Sequence, residues 1–79
     1  MIPFTSLPIA ERQAKVNALL VPAVKRLPLK IRRNPYVMGD VVRGVWAELT
    51  IGSHLTQAGI IRGARNSFRL LGGTPATPL

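Results

Sequence analysis

Prolines at positions 3, 8, 22, 28 and 35 cut up the first half of the chain, and none follows until Pro75. Proline lacks a backbone N–H and has a fixed φ, so it kinks or ends a helix from within but fits the first turn. A chain punctuated this way is read as a few short helices with connectors. Ser6 can cap a first helix with Pro8 in its opening turn. Ile9, Val16 and Leu20 then fall on one side, with Arg12 and Lys15 facing away. Pro22 is expected to kink or end this helix near Leu20, with "PAVKRL" adding one or two turns. Residues 28–33, "PLKIRR", alternate apolar with basic between prolines and read as extended.

"NP" at 34–35 is a helix start, with Asn34 as cap and Pro35 in the first position. Met38, Val42, Val45 and Leu49 follow at i, i+4, i+7 and i+11, the spacing of a core-facing stripe, with Trp46 beside it. Asp40 and Arg43, three apart, take the outer side. "TIGS" at 50–53 is a tight connection in which Ser53 can cap the last helix. That helix is expected from about His54 to Leu71, ending at Gly72–Gly73, and residues 74–79 read as an extended tail. The expectation is one all-α or mostly α domain over residues 1–79: a compact bundle of three to four helices with one short extended segment near 28–33.

The 79 residues are 47% hydrophobic and 18% charged, enough apolar content to fold but a marginal core. A mean hydropathy of +0.22 is high for so small a soluble chain. A partner or a second copy covering apolar surface would account for it, as would tight helical packing, so a homo-oligomer stays open. The chain has no cysteine, hence no disulfide and no thiolate metal site. Its N-terminus lacks the basic start and long apolar region of a secretory signal. The longest uncharged stretches are interrupted by Pro22, or by Glu48 and His54, so no transmembrane segment is expected and the reading is a cytoplasmic protein.

The charge is one-sided: 11 Lys and Arg against 3 Asp and Glu, net +8. Eight of the 11 cations are arginine, whose planar guanidinium suits bidentate phosphate contacts. Nucleic acid, an acidic protein or an anionic membrane surface is the natural partner.

Two clusters carry that charge. Arg62, Arg65 and Arg69 are spaced three and four apart and fall within a wedge of roughly 60° on a helix. Ile60, Ile61, Ala64, Phe68 and Leu71 take the opposite side. Residues 49–79 contain no Asp or Glu to answer the wedge. A phosphate backbone would convert their mutual repulsion into attraction through counterion release; the alternative is a merely solvated face. The second cluster, "KRLPLKIRR", holds Lys25, Arg26, Lys30, Arg32 and Arg33. If extended, it puts Lys30 and Arg32 opposite Leu29 and Ile31, a second backbone-binding strip led by Lys30, Arg32 and Arg33. Its alternative is an electrostatically loose loop.

Gly59 and Gly63 form a small-xxx-small pair, read first as tight helix packing. The helices around "TIGS" have the coarse shape of a helix-turn-helix, with Gln57, Arg62 and Arg65 as contacts, though the register is poor. Tyr36 and Trp46 could stack on bases, but their helical positions favour core packing. One histidine, His54, and three scattered carboxylates (Glu11, Asp40, Glu48) assemble no nucleophile–base pair and no metal cluster. Neither an enzyme nor a cofactor is expected.

From Pro28 to Gly73 the order of features resembles the FinO/ProQ family of RNA-binding proteins. The matching pieces are "PLKI" at 28–31, "DVV" at 40–42, "LTQ" at 55–57 opening a basic helix, and "NSFRLLGG" at 66–73. The resemblance implies a mostly helical domain with short strands that binds structured RNA through a basic face. By matched position it points to Lys30 and Arg69, with Arg62 close behind. Arg32 departs from the family's usual glycine, and the family's tyrosine-bearing turn and final strand are absent.

The function these observations favour is a small nucleic-acid-binding protein, RNA slightly ahead of DNA, holding phosphates on an arginine-lined helix. The rival is a non-enzymatic interaction protein, a phage- or plasmid-type inhibitor or an assembly subunit, docking its basic face on an acidic protein.

Overall fold

The computed structural model describes residues 2–71. A 3₁₀ turn at Phe4–Ser6 leads into four helices: α1 (Ile9–Lys25), α2 (Leu29–Arg32), α3 (Pro35–Thr50) and α4 (Gln57–Leu70). There is no strand among the described residues, and the fold is a small all-α bundle. α4 packs chiefly against α3 and α1, while the single turn of α2 lies across α3 and α4. The Gly72–Gly73 stop and the 74–79 tail expected from sequence lie outside the described residues.

Two helices begin on the same device. In "LP" at 7–8 and again at 27–28, the proline is the N-cap, extended at ψ near 150°. The residue before a proline is pushed out of the helical region, so the chain turns there. The proline carbonyl then accepts the first helical bond, Arg12 N–H to Pro8 O at 3.0 Å and Arg32 N–H to Pro28 O at 3.1 Å. Pro8 therefore caps α1, and Ser6, the expected cap, belongs to the 3₁₀ turn instead. Pro22 does not end α1. The helix runs through it because Leu20 and Ala23 on either side are buried, and that burial outweighs the lost backbone bond.

The extended reading of residues 28–33 is corrected: Leu29–Arg32 is helical. Four alternating residues cannot separate the two periods. In a strand Leu29 and Ile31 would share a face, but Ile31 is 4% exposed and Leu29 is 53% exposed. The short strands implied by the FinO/ProQ resemblance are likewise missing among the described residues, "PLKI" being the cap and opening of this helical turn.

α3 starts as expected. Asn34 Oδ1 accepts from the backbone N–H of Tyr36 (3.0 Å) and Val37 (3.2 Å), with Pro35 following the cap. Its inward row is Val37, Val41 and Val45: Val45 is buried as expected, while Val37 and Val41 take the places expected of Met38 and Val42, with Met38 and Leu49 flanking the row and Val42 exposed. Both rows are apolar, so spacing alone does not choose between them.

α3 ends in a Schellman motif. Gly52 sits at φ +78°, Ser53 N–H reaches back to Glu48 O (2.9 Å) and Gly52 N–H to Leu49 O (3.2 Å). Ser53 thus closes α3 and does not cap α4. Thr56 caps α4, its Oγ1 accepting from Gly59 N–H at 3.1 Å.

Among the described residues the buried core is wholly apolar: Val16, Leu20 and Ala23 of α1, Leu27, Ile31 of α2, the three α3 valines, and Ile60 and Ala64 of α4. Phe4 and Trp46 close one edge, ring centroids 5.8 Å apart and edge to face.

Candidate functional site

α4 carries a sharply two-sided surface. Ile60 and Ala64 are buried, Ile61, Phe68 and Leu71 pack at the core margin, and Arg62, Arg65 and Arg69 are exposed. The 100° helical step sets this division, as the arginine spacing requires.

α2 adds what a helical turn alone can bring. Its buried Ile31 anchors it to the core, and Lys30, the residue before, is carried to the α4 side. A shallow, open cleft of about 370 Å³ lies between the two helices, lined by Pro28, Lys30, Ile31, Arg65, Phe68 and Arg69. Lys30 Nζ stands 5.7 Å from the Phe68 ring centroid, a cation–π contact. Arg69 Nη2 donates to Asn66 Oδ1 at 2.7 Å, which steadies its side chain and leaves other guanidinium donors free. Three of the six cations singled out in the sequence therefore meet in one cleft.

The other three do not line it. Arg62 continues the exposed arginine edge along α4 toward its N-terminus. Arg32 closes α2 and Arg33 caps its C-terminus, both exposed. Lys30 and Arg32 do not share a strand face, because the segment is helical.

A second cleft, of about 300 Å³, lies on the other side of α4, against α3. Asp40, Gly44, Glu48, Gly59, Gly63 and Ser67 are among its lining residues. Two of the chain's three carboxylates are thus gathered on one side of α4, and the cations Lys30, Arg65 and Arg69 on the other. Asp40 is itself engaged: Arg43 Nη2 donates to its Oδ1 at 2.6 Å, and Ser67 Oγ from α4 donates to Oδ2 at 3.4 Å. Arg43–Asp40 is the only ion pair among the described residues. None of the six candidate cations is in one.

No protein-family model, curated protein or solved structure matches the chain.

Some sequence readings change here. The tight-packing reading of Gly59 and Gly63 fails: a Cβ on Gly63 would meet nothing within 4 Å, and one on Gly59 would meet only Thr56 and Leu55. α3 and α4 are joined by residues 51–56, longer than the three- to four-residue turn of a helix-turn-helix. Tyr36 is not a core residue but 67% exposed, while Trp46 is half-buried as expected. Phe68, given only a core role in the sequence reading, forms part of the cleft. The sign available was its place between Arg65 and Arg69. Among the described residues no group of His, Asp and Glu could hold a metal ion, and no helix is long and apolar enough to cross a membrane.

Proposed function

We propose that this protein binds nucleic acid on the α2–α4 side, with Lys30, Arg65 and Arg69 holding phosphates at the cleft. Arg62 extends that track along α4, and Arg32 and Arg33 extend it past the end of α2. The observation that carries the reading is the convergence of Lys30 with Arg65 and Arg69 from separate parts of the chain. They meet beside an aromatic ring, on the side of α4 away from Asp40 and Glu48.

The physical case is a balance of two terms. Cations at i+3 and i+4 on α4 repel by a few tenths of a kcal/mol per pair. A polyanion reverses that sign and gains from each counterion it releases. Arginine serves this better than lysine because its fork meets phosphate oxygens in pairs. Phosphate contacts position a nucleic acid without reading its sequence, so the binding is non-specific in base. The short motif likeness to FinO/ProQ proteins makes RNA the first ligand to test.

The test is a salt titration of binding to labelled RNA and DNA by the full chain and by the Arg62→Gln/Arg65→Gln/Arg69→Gln variant. Binding should weaken strongly, and the log–log salt slope should shrink by roughly one unit per lost phosphate contact. Unchanged affinity and slope would remove this face as the site. Absence of nucleic-acid binding together with capture of one acidic protein would favour the interaction-protein reading.

A further inference from the structure

We infer that the strand bound at this site is single-stranded, and that Tyr36 is the platform on which one of its bases stacks. The inference rests on the nucleic-acid reading of the α2–α4 cleft and specifies its ligand.

The chain has four aromatic residues, and three are occupied. Phe4 and Trp46 pack edge to face on each other. Phe68 is half-buried with Lys30 over its ring. Tyr36 alone stands out in solvent, 67% exposed. A lone exposed apolar residue needs no explanation, so its position has to carry the argument.

Tyr36 follows Pro35 in the first turn of α3, and its backbone N–H is held by Asn34 Oδ1 at 3.0 Å. The ring therefore projects from a fixed base. It stands three residues after Arg33 and four after Arg32, both exposed. Lys30 and Arg33, three apart on the turn of α2, are neighbours on its surface, and the chain carries no carboxylate between Lys30 and Tyr36. A cationic track ending on a free aromatic face is the combination that single strands use. Phosphates follow the charges, and an unpaired base stacks on the ring. In a duplex the base faces are already stacked on one another and offer a ring nothing.

The experiment compares the full chain on labelled single-stranded RNA and DNA of about 15 nucleotides with blunt duplexes of the same sequence. Single strands should bind at least about tenfold tighter. Tyr36→Leu should weaken single-strand binding by between roughly fivefold and a hundredfold, while Tyr36→Phe keeps it. Neither should change the salt slope, because no phosphate contact is lost. Photocrosslinking to a strand carrying 5-iodouridine, with mass spectrometry of the peptides, should mark Tyr36 and does not depend on any variant folding. Equal affinity for duplex and single strand, with Tyr36→Leu neutral and Tyr36 unmarked, overturns the inference. If Arg62, Arg65 and Arg69 still set the salt slope in that case, the nucleic-acid reading survives it. No binding to any form overturns both.

Discussion

Lys30 Nζ stands 5.7 Å from the Phe68 ring centroid, joining the one-turn helix α2 to the last turns of α4. Phe68 packs against the core cluster and also receives the cation. A ring in that position lets Lys30 lie close to Arg65 and Arg69 without a carboxylate between them, since the negative ring face favours the ammonium. The cleft is therefore assembled by packing and a cation–π contact, not by ion pairing.

Lys30→Gln separates the two roles of this residue. The loss of a solvent-facing cation–π contact should lower stability by no more than about 0.5–1 kcal/mol. Loss of a phosphate contact should reduce the salt slope of nucleic-acid binding by about one unit. Thermal unfolding and a salt titration of the same variant measure both. A loss of several kcal/mol with an unaltered slope would make Lys30 a structural staple only.

The arginine edge predicts opposite signs for stability and binding. Replacing Arg65 by Gln removes like-charge neighbours at Arg62 and Arg69, and the free protein should gain a few tenths of a kcal/mol at low salt. The gain should fade as salt rises, because exposed charges are screened. Binding to a polyanion should weaken in the same variant. Melting curves at low and high salt check the first sign; a destabilised Arg65→Gln at low salt would contradict it.

How far these features could be read from sequence depended on how local their causes are. The start of α3 was legible because Asn34 and Pro35 act within one turn, on N–H groups two and three residues away. The arginine wedge was legible because a helical period fixes it. The start of α4 was not: Ser53 and Thr56 are both good caps three residues apart. The choice was made by Gly52, whose positive φ draws Ser53 back to Glu48. α2 was not legible because its helical form depends on Ile31 finding the core, a tertiary event. With it went the meeting of Lys30 with Arg65 and Arg69, which no spacing in the chain encodes.

Ile31 tests that dependence. It is the one buried residue of α2, and Ile31→Ala should cost about 2–5 kcal/mol, a large fraction of what a domain this small can hold. Because α2 carries Lys30, any folded Ile31→Ala protein should also lose affinity for nucleic acid, though no cation has been removed. Ile31→Val, at about 0.5–1.5 kcal/mol, should keep the cleft. Chemical denaturation alongside binding of both variants reads the coupling; full affinity in a folded Ile31→Ala protein would show that α2 holds its place without this anchor.

Four glycines in and between α3 and α4 give the last prediction, because their surroundings differ. Gly44 and Gly63 lie inside helices and line the α3–α4 cleft, and a Cβ on either would meet nothing within 4 Å. Alanine there gains helix propensity at no steric cost, so Gly44→Ala and Gly63→Ala should each stabilise by about 0.5–1 kcal/mol. At Gly59 a Cβ would come within 3.3 Å of Thr56 Oγ1, the hydroxyl that caps α4. The propensity gain is then set against a disturbed cap worth about 1 kcal/mol, and Gly59→Ala should stabilise less than Gly63→Ala. Gly52, at φ +78°, should lose about 1 kcal/mol as alanine, since the left-handed conformation crowds a Cβ. Urea unfolding of the four variants should therefore rank Gly44→Ala and Gly63→Ala above wild type and Gly52→Ala below it. Destabilisation by Gly63→Ala would mean that α3 and α4 approach more closely than this cleft allows.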